Sequence, residues 1–491
     1  MLSVDSTIVN LVIGSGPTGY ATVLSLLDQG KKVFLIDPAL PLFPSSSDSF
    51  QVTAQKGLFG STEMYRVSWL SRLKGATRGI PYSEARGGLS TTWGAGLQVY
   101  PDKHFENWPC KGRGMQNSYQ RILSQLDHVY IEDSLSSRFP WPTGARTLAP
   151  SESRLGKFGC LTAERLFTLK KILIGQARLA ISQIGDRKCQ LCSGCLEGCP
   201  YDSIFNSGNE LLRIAESNNQ LQILSGFISE IVVPTSTNER FQIKIENTAD
   251  KISILTSENL YLALGAIGTP ALLFRSGIVT SKISIRDSQV FYAAFFSFKR
   301  MDDAAGTSLA KLFIVNKKPE YDEFHLSLYS PNFEISKRIE QKIYEMCKVK
   351  IRIPKLIANR IVAGIGFIDP EDSGKILMEM QDKEIILRKS INPETKKKIQ
   401  GIVGMLTKEL RKIGLFKIPF STQIPDVATG FHSGGGLVEL MKSDQNGFDE
   451  FGRLRRNGKL MVTDASTMPF NIAGPHTLTA MAHAYRNAQI N

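Results

Sequence analysis

Apolar residues in this chain alternate between short strand-like runs and helical stripes. Residues 8–13 are almost wholly apolar and predict a buried strand. A glycine-rich stretch follows, then a helical pattern over 20–29 closed by Gly30, then a second apolar run over 32–36 ending at Asp37. Further on, 260–264 reads as a strand and 270–276 as a helix start with Pro270 in its first turn. Runs rich in Phe, Ile, Val and Tyr at 288–298, 309–316, 323–329, 361–368 and 375–388 alternate in part and predict one antiparallel sheet. Asn392, Pro393 and Glu394 open a helix in which Ile399, Ile402, Val403, Leu406, Leu410 and Ile413 recur at helical spacing up to Gly414. A shorter amphipathic stretch covers 335–349.

The chain has 491 residues, enough for about three domains. Its 42% hydrophobic and 21% charged residues exclude collagenous, low-complexity and disordered classes. No apolar run approaches the ~20 residues of a membrane-spanning helix. The longest, 290–298 and 260–274, are a strand-like run and a stretch broken by Gly265, Gly268 and Pro270. A strand pattern beginning at Ile8 leaves no room for a signal peptide, so a cytoplasmic location is expected. The net charge is +13, of which 334–360 carries +5 and 388–417 carries +7. The remainder is nearly neutral, and nucleic-acid motifs and internal repeats are lacking, so nucleic acid is not an expected partner. The plain reading of the two basic segments is a pair of solvated helix faces. The sharper one is peripheral docking on an anionic membrane at its inner face, or attraction of a phosphorylated or acidic substrate.

The stretch after the first strand is Gly14-Ser15-Gly16-Pro17-Thr18-Gly19. Set between strand and helix, with an acidic residue at the end of the next strand, it has the context of a dinucleotide-binding turn. Gly14 permits the tight turn, Gly16 lets backbone approach a pyrophosphate, and Gly19 allows close helix–strand packing. The helix start at Pro17 and Thr18 offers N–H groups to phosphate, and Asp37 can accept hydrogen bonds from ribose hydroxyls. The position at the start of the chain favours FAD over NAD.

Four of the seven cysteines, Cys189, Cys192, Cys195 and Cys199, form C-x2-C-x2-C-x3-C-P. That spacing is of the ferredoxin iron–sulfur type and is more compact than the separated pairs of most zinc sites. The expected group is an iron–sulfur cluster, 4Fe-4S before 3Fe-4S, with Cys199, Cys160 or Cys110 as fourth ligand. A zinc knot or reduced thiols bracing a loop are the alternatives.

Four stretches resemble the glucose–methanol–choline (GMC) oxidoreductases. The run from Gly265 through Ala266 to Ile278 is similar to that family's second signature, with Val279 where a glycine is usual. Arg86-Gly87-Gly88-Leu89-Ser90-Thr91-Thr92-Trp93-Gly94-Ala95-Gly96 resembles its glycine-rich loop over the cofactor. The closing segment matches in Asp464, Ala465 and in Gly474-Pro475-His476-Thr477. His432, in Phe431-His432-Ser433-Gly434, resembles the first active-site histidine, and His476 stands at the second. The cysteine run is similar to the iron–sulfur flavoprotein dehydrogenases acting on glucose, fructose or gluconate.

The resemblance implies FAD held by Gly14, Gly16, Pro17, Thr18, Gly19, Asp37, Gly88, Ser90, Thr92, Trp93, Gly94, Ala266, Asp464, Ala465, His476 and Thr477. His432 is then the base and His476 the group orienting the substrate oxygen, suited by an imidazole pKa near 6.5; His104, His128, His325 and His483 are expected to be structural or exposed. The implied fold is α/β: a GMC-like, Rossmann-type FAD domain from 1–100, 209–285 and 421–491, a Cys-rich iron–sulfur insert at 158–208, and an antiparallel-sheet substrate domain from 101–157 and 286–420. The implied activity is oxidation of a CH–OH group of a sugar, polyol or other alcohol, with electrons leaving through the cluster to an acceptor protein or quinone. The alternatives are an oxygen-using alcohol oxidase with structural cysteines, and a non-catalytic flavin-fold protein docking to anionic partners.

Overall fold

A computed structural model describes residues 8–37, 73–75, 79–106, 108, 114–142, 153–159, 167–195, 198–236, 239–246, 252–302, 306–318, 323–331, 340–341, 344–345, 348, 350–442, 447–469 and 472–490. Its central sheet is organised around the runs that flank the glycine turn. Ile8–Ile13 lies parallel between Val33–Asp37 and Ile252–Leu262, with Leu11 opposite both Phe34 and Leu260. Leu221–Ser225 and Asn457–Val462 continue the parallel order on either side. Burial on both faces accounts for the near-continuous apolar character of the inner strands. The predicted strand at 260–264 is the end of a longer one, Ile252–Leu262. The second half of that strand pairs with Ile8–Ile13, and its first half pairs antiparallel with Phe241–Glu246.

Helix Pro17–Asp28 packs against the last helix, Thr477–Gln489, which also contacts Met115–Leu123. Ala480, Ala484 and Ala488 recur every four residues on the last helix and are buried, allowing close approach. Ser25 Oγ donates to the Tyr485 carbonyl (2.8 Å), and the Tyr119 and Thr479 hydroxyls meet at 2.7 Å.

Two expectations are corrected here. The helix expected to start at Pro270 spans Gly265–Arg275, with Pro270 inside it. Its start is held from outside: the Asp464 carboxylate accepts from the Gly265 N–H (2.9 Å) and the Thr269 hydroxyl (2.5 Å), which satisfies a first-turn N–H that has no acceptor within the helix. The run 375–388 is two strands, Lys375–Gln381 and Glu384–Ser390, turning at Asp382 and Lys383, both left-handed (φ 49° and 65°). This hairpin leaves the predicted sheet and joins Ile283–Arg286 and Leu73–Gly75 in a separate four-stranded one. Ile376, Met378, Ile385 and Leu387 pack there with Ile267, Leu272 and Phe274 of the Gly265–Arg275 helix.

The other four predicted runs, with two unpredicted edge strands, Leu415–Lys417 and Ile172–Gln176, form an antiparallel sheet in the order Leu415–Lys417, Val290–Ser297, Ile361–Ile368, Phe324–Tyr329, Leu312–Asn316 and Ile172–Gln176. One face carries Phe291, Phe295, Leu312, Ile314, Leu326 and Val362 against helix Thr395–Arg411. The apolar stripe of that helix, Ile399, Ile402, Val403, Leu406 and Leu410, is buried as predicted, each side chain contributing about 1.5–3 kcal/mol. The other face carries Phe313, Ser327, Tyr329, Ile365 and Phe367 toward the central-sheet half. Most of the amphipathic stretch 335–349 lies outside the described residues. No helix among the described residues is long and apolar enough to cross a membrane.

Candidate active site

The glycine turn is shaped by contacts that exclude side chains. Gly14 is left-handed (φ 107°), and a Cβ there would lie 2.5 Å from the Ala263 carbonyl oxygen. A Cβ at Gly19 would collide with the Gly14 carbonyl, whereas one at Gly16 would meet nothing within 4 Å. Gly14 and Gly19 therefore serve the turn and the packing, and Gly16 presents bare backbone to an open space. Helix Pro17–Asp28 begins there without a side-chain cap, leaving its first N–H groups and positive dipole end toward the cavity. Buried Asp37 accepts from the Ser15 N–H (2.8 Å) at the edge of the same space.

That space is a cavity of about 300 Å³. Gly14, Gly16, Pro17, Thr18, Asp37, Gly88, Ser90, Thr92, Trp93, Gly94, Ala266, Asp464, Ala465, His476 and Thr477 all line it. Gly19 stands behind it in the helix–strand contact. Segments hundreds of residues apart are thus gathered around one volume. Ser207, which sequence reading missed, joins two of them: its hydroxyl donates to the Ser15 carbonyl (2.8 Å), and its N–H donates to Ser90 Oγ (3.1 Å). Its signal is faint, since Asn206 caps the following helix through Gly208 and Asn209, so that Ser207 reads as an ordinary first-turn serine. Asp464 lines the cavity, yet its oxygens accept from Gly265, Thr269 and Ser466, so its carboxylate is committed to holding the helix start.

His432 and His476 face each other at the far end, ring centroids 4.9 Å apart at 63°. The Phe367 ring lies 4.4 Å from His432. Burial pushes both imidazoles down, His476 to about 4 and His432 well below its usual range, with the neighbouring His476 and His325 adding to the effect on His432. Both are therefore neutral at pH 7. His476 Nδ1 is buried without a hydrogen-bond partner among the described residues, and its residue lines the cavity.

Asp287 is the main residue that the sequence did not disclose. Fully buried, it accepts from the Gly430 N–H (2.9 Å) and the Ser433 hydroxyl (3.1 Å) and so fixes the loop carrying His432. Burial raises its carboxyl to about 6 against these two donors. The aromatic lining of the cavity was equally hidden. Phe313, Tyr329, Ile365, Phe367 and Phe431 line it, and the period-two alternation of the roof strands is its only trace in the sequence. Tyr329 and Ser327 share a hydrogen bond, and His325 Nε2 lies 3.0 Å from Ser327 Oγ. Of the four histidines read as structural or exposed, His128, His325 and His483 are buried.

The thiols of the cysteine run are neighbours: burial raises the Cys189 and Cys195 thiols, with Cys199 and Cys192 adding to the effect on Cys189, and Cys189 and Cys199 to that on Cys195. Cys192 is exposed, Cys195 is buried beside Phe205, and Cys189 and Cys199 are half-buried. Among the described residues no group of three or more His, Cys, Asp or Glu side chains is placed to hold a metal ion. The expected four-thiol ligand set of Cys189, Cys192, Cys195 and Cys199 is thus not shown as an assembled site. Cys195 is packed in the core, and the Cys189 and Cys199 sulfurs accept from the Leu191 N–H (3.5 Å) and the Ser203 N–H (3.3 Å). Cys110 and Cys160 lie outside the described residues.

Compared with known proteins, the chain matches no family model and no curated protein. It shares its fold with pyridoxine 4-oxidase from Mesorbium loti (TM-score 0.63, 14% identity, covering 98% of this chain and 99% of that one). It is similarly related to an R554A variant of Aspergillus oryzae formate oxidase (TM-score 0.62, 11% identity, covering 99% and 98%).

Proposed function

We propose that this chain is a GMC-type, FAD-dependent oxidoreductase acting on a CH–OH donor. The single observation that carries the reading is the buried, neutral His432–His476 pair closing one end of a cavity whose other end is a dinucleotide turn. The residues fit FAD. Gly14, Gly16 and the uncapped helix start would receive the pyrophosphate, Asp37 the ribose, and the loop from Gly88 through Ser90, Thr92 and Trp93 to Gly94, with Ala266, Ala465 and Thr477, the rest. FAD supplies, when bound, the hydride acceptor.

The chain's own residues supply the remainder. His432, held by the Asp287-braced loop, accepts the hydroxyl proton of the donor, and His476 donates a hydrogen bond that orients the same oxygen. Their lowered pKa leaves both rings neutral at pH 7, the form in which one ring nitrogen accepts and the other donates. Aromatic rings over the pair exclude water and favour an apolar alcohol over a sugar or polyol. Both similar structures bear oxidase names, which favours an acceptor met directly at the flavin.

The relay expected from the cysteines is a second reading. It rests on the left-handed Leu191, Ser193 and Gly198 and the two N–H···S contacts, features that suit a loop able to wrap a cluster. Iron and sulfide analysis of anaerobically purified protein tests it: stoichiometric sulfide supports a relay, and its absence removes it. The main reading is tested by anaerobic mixing of the FAD-loaded chain with alcohols. Substrate-dependent bleaching lost in His432→Ala and His476→Ala, with flavin still bound, is expected. Bleaching that survives in both variants overturns the assignment.

A further inference from the structure

Strands Val290–Ser297 and Ile361–Ile368 put alternate residues on opposite faces. One face packs on helix Thr395–Arg411. The opposite face begins with Val290, Ile365 and Phe367 beside His432 and continues through Ala294, Phe296 and Ile361, roughly 20 Å along the strand. There it meets solvent. Phe298 is 70% exposed, with its ring 5.5 Å from Phe296 and 5.2 Å from Phe416.

Residues 350–360 sit against that end. Ser297 N–H donates to the Arg360 carbonyl and Met301 N–H to the Asn359 carbonyl, both at 2.9 Å, and Ile353 packs beside Phe296. The segment turns its large apolar side chains outward: Leu356 is 70%, Ile357 45% and Ile351 39% exposed. Lys299, Lys350, Arg352 and Lys355 are exposed on the same stretches. Residues 346–360 contain five Lys or Arg and no Asp or Glu. Among the described residues, the acids on the adjoining stretches are Glu345, Glu340, which accepts from the Ile353 N–H, and Asp302, which pairs with Arg300 and Arg154. A solvated helix face of a globular protein keeps its apolar residues inward and its charges outward. Here both point outward, and the charge has one sign.

The geometry points to a membrane-docking rim: Phe298, Ile351, Leu356 and Ile357 enter the interfacial layer of an anionic phospholipid bilayer while Lys299, Lys350, Arg352 and Lys355 meet its headgroups. Apolar side chains in a ring of cations are the composition that binds such surfaces. A docked rim would set the membrane at one end of the sheet face whose other end is the histidine pair. The proposal stands on the surface alone and is independent of the reaction assigned above.

The test is co-sedimentation of the FAD-loaded full chain with vesicles of phosphatidylcholine, and with vesicles of phosphatidylcholine and phosphatidylglycerol in equal parts. Binding to the anionic vesicles alone, weakened by salt, is expected. The triple variant Lys350→Glu, Arg352→Glu, Lys355→Glu should bind about tenfold more weakly or worse. The double variant Phe298→Ser, Leu356→Ser should lose about tenfold at unchanged charge, and it should keep its flavin spectrum because both side chains are exposed. No sedimentation with anionic vesicles, equal binding to both compositions, or wild-type binding by either variant overturns the proposal. So does a concentration-dependent dimer abolished by the double variant, which assigns the rim to a second copy of the chain.

Discussion

The dinucleotide turn and the cysteine run are both short motifs with strict spacing, yet the fold treats them differently. In the turn, the spacing is enforced by backbone: Gly19 has no room for a Cβ because the Gly14 carbonyl occupies that place, and Gly14 is held left-handed against Ala263. Those contacts exist whether or not a ligand is bound. In the cysteine run the thiols lie near one another, held by packing and N–H···S contacts and not by glycine sterics. Cys195 is buried in the core, Cys192 faces solvent, and the other two accept local N–H groups. A motif whose residues are needed by the protein's own packing is visible in its structure. Where backbone contacts do not fix a motif, its spacing alone does not set the arrangement of its side chains.

The sharpest way to break this comparison lies at the histidines. His432→Ala and His476→Ala should each lower kcat by about 10²–10⁴-fold, the range of general acid–base groups, while leaving FAD binding intact in a flavin-release assay. Retained turnover would place the chemistry elsewhere. Next in size is Gly19→Ala, where a methyl must push on backbone. Denaturant melts should show a loss of about 2–4 kcal/mol together with loss of bound flavin, whereas Gly16→Ala, which fills open space, should disturb flavin affinity with stability nearly unchanged.

Asp287 sharpens the comparison inside the site. Removing its carboxylate strands the Gly430 N–H and the Ser433 hydroxyl, so Asp287→Ala should cost about tenfold or more in kcat/KM, at about 1–3 kcal/mol for the groups left unpaired. The pH profile separates it from the imidazoles. Both imidazoles work in the neutral form and burial keeps them neutral as pH falls through 6.5: His432 is held well below its usual range, and His476 becomes protonated only as pH approaches about 4. The Asp287 carboxyl, raised to about 6, becomes protonated earlier and then accepts less well. A limb near pH 6 should therefore appear in the wild-type profile and vanish in Asp287→Asn. Persistence of that limb in the variant would assign it to another group.

The smallest effects are expected in the cysteine run. Cys192→Ser, at an exposed thiol, should change stability by less than about 0.5 kcal/mol, and Cys195→Ser, which puts a hydroxyl among core side chains, by about 1–2 kcal/mol. Thermal melts of the FAD-loaded protein check both. If Cys192→Ser instead abolishes activity, the thiols act together in the working enzyme, and the contrast between the two motifs collapses.

Residue order alone determined the βαβ start, the helix Thr395–Arg411 with its buried stripe, and the last helix at Thr477, because periodicity, capping and glycine sterics are local. It also singled out His432 and His476, which lie 44 positions apart. Tertiary structure decided what depends on distant partners. Asp464, far along the chain, starts the helix at Gly265 and thereby moves Pro270 from its first turn to its interior. The 375–390 hairpin pairs with Ile283–Arg286 and leaves the roof sheet, since its apolar face finds the helix Gly265–Arg275 there. Asp287 becomes the brace of His432 only where residues more than a hundred positions apart meet in a buried space. Alternation and spacing encode which face a side chain takes. Which surface that face then meets is set by the packing of whole sheets and helices, and no local pattern carries it.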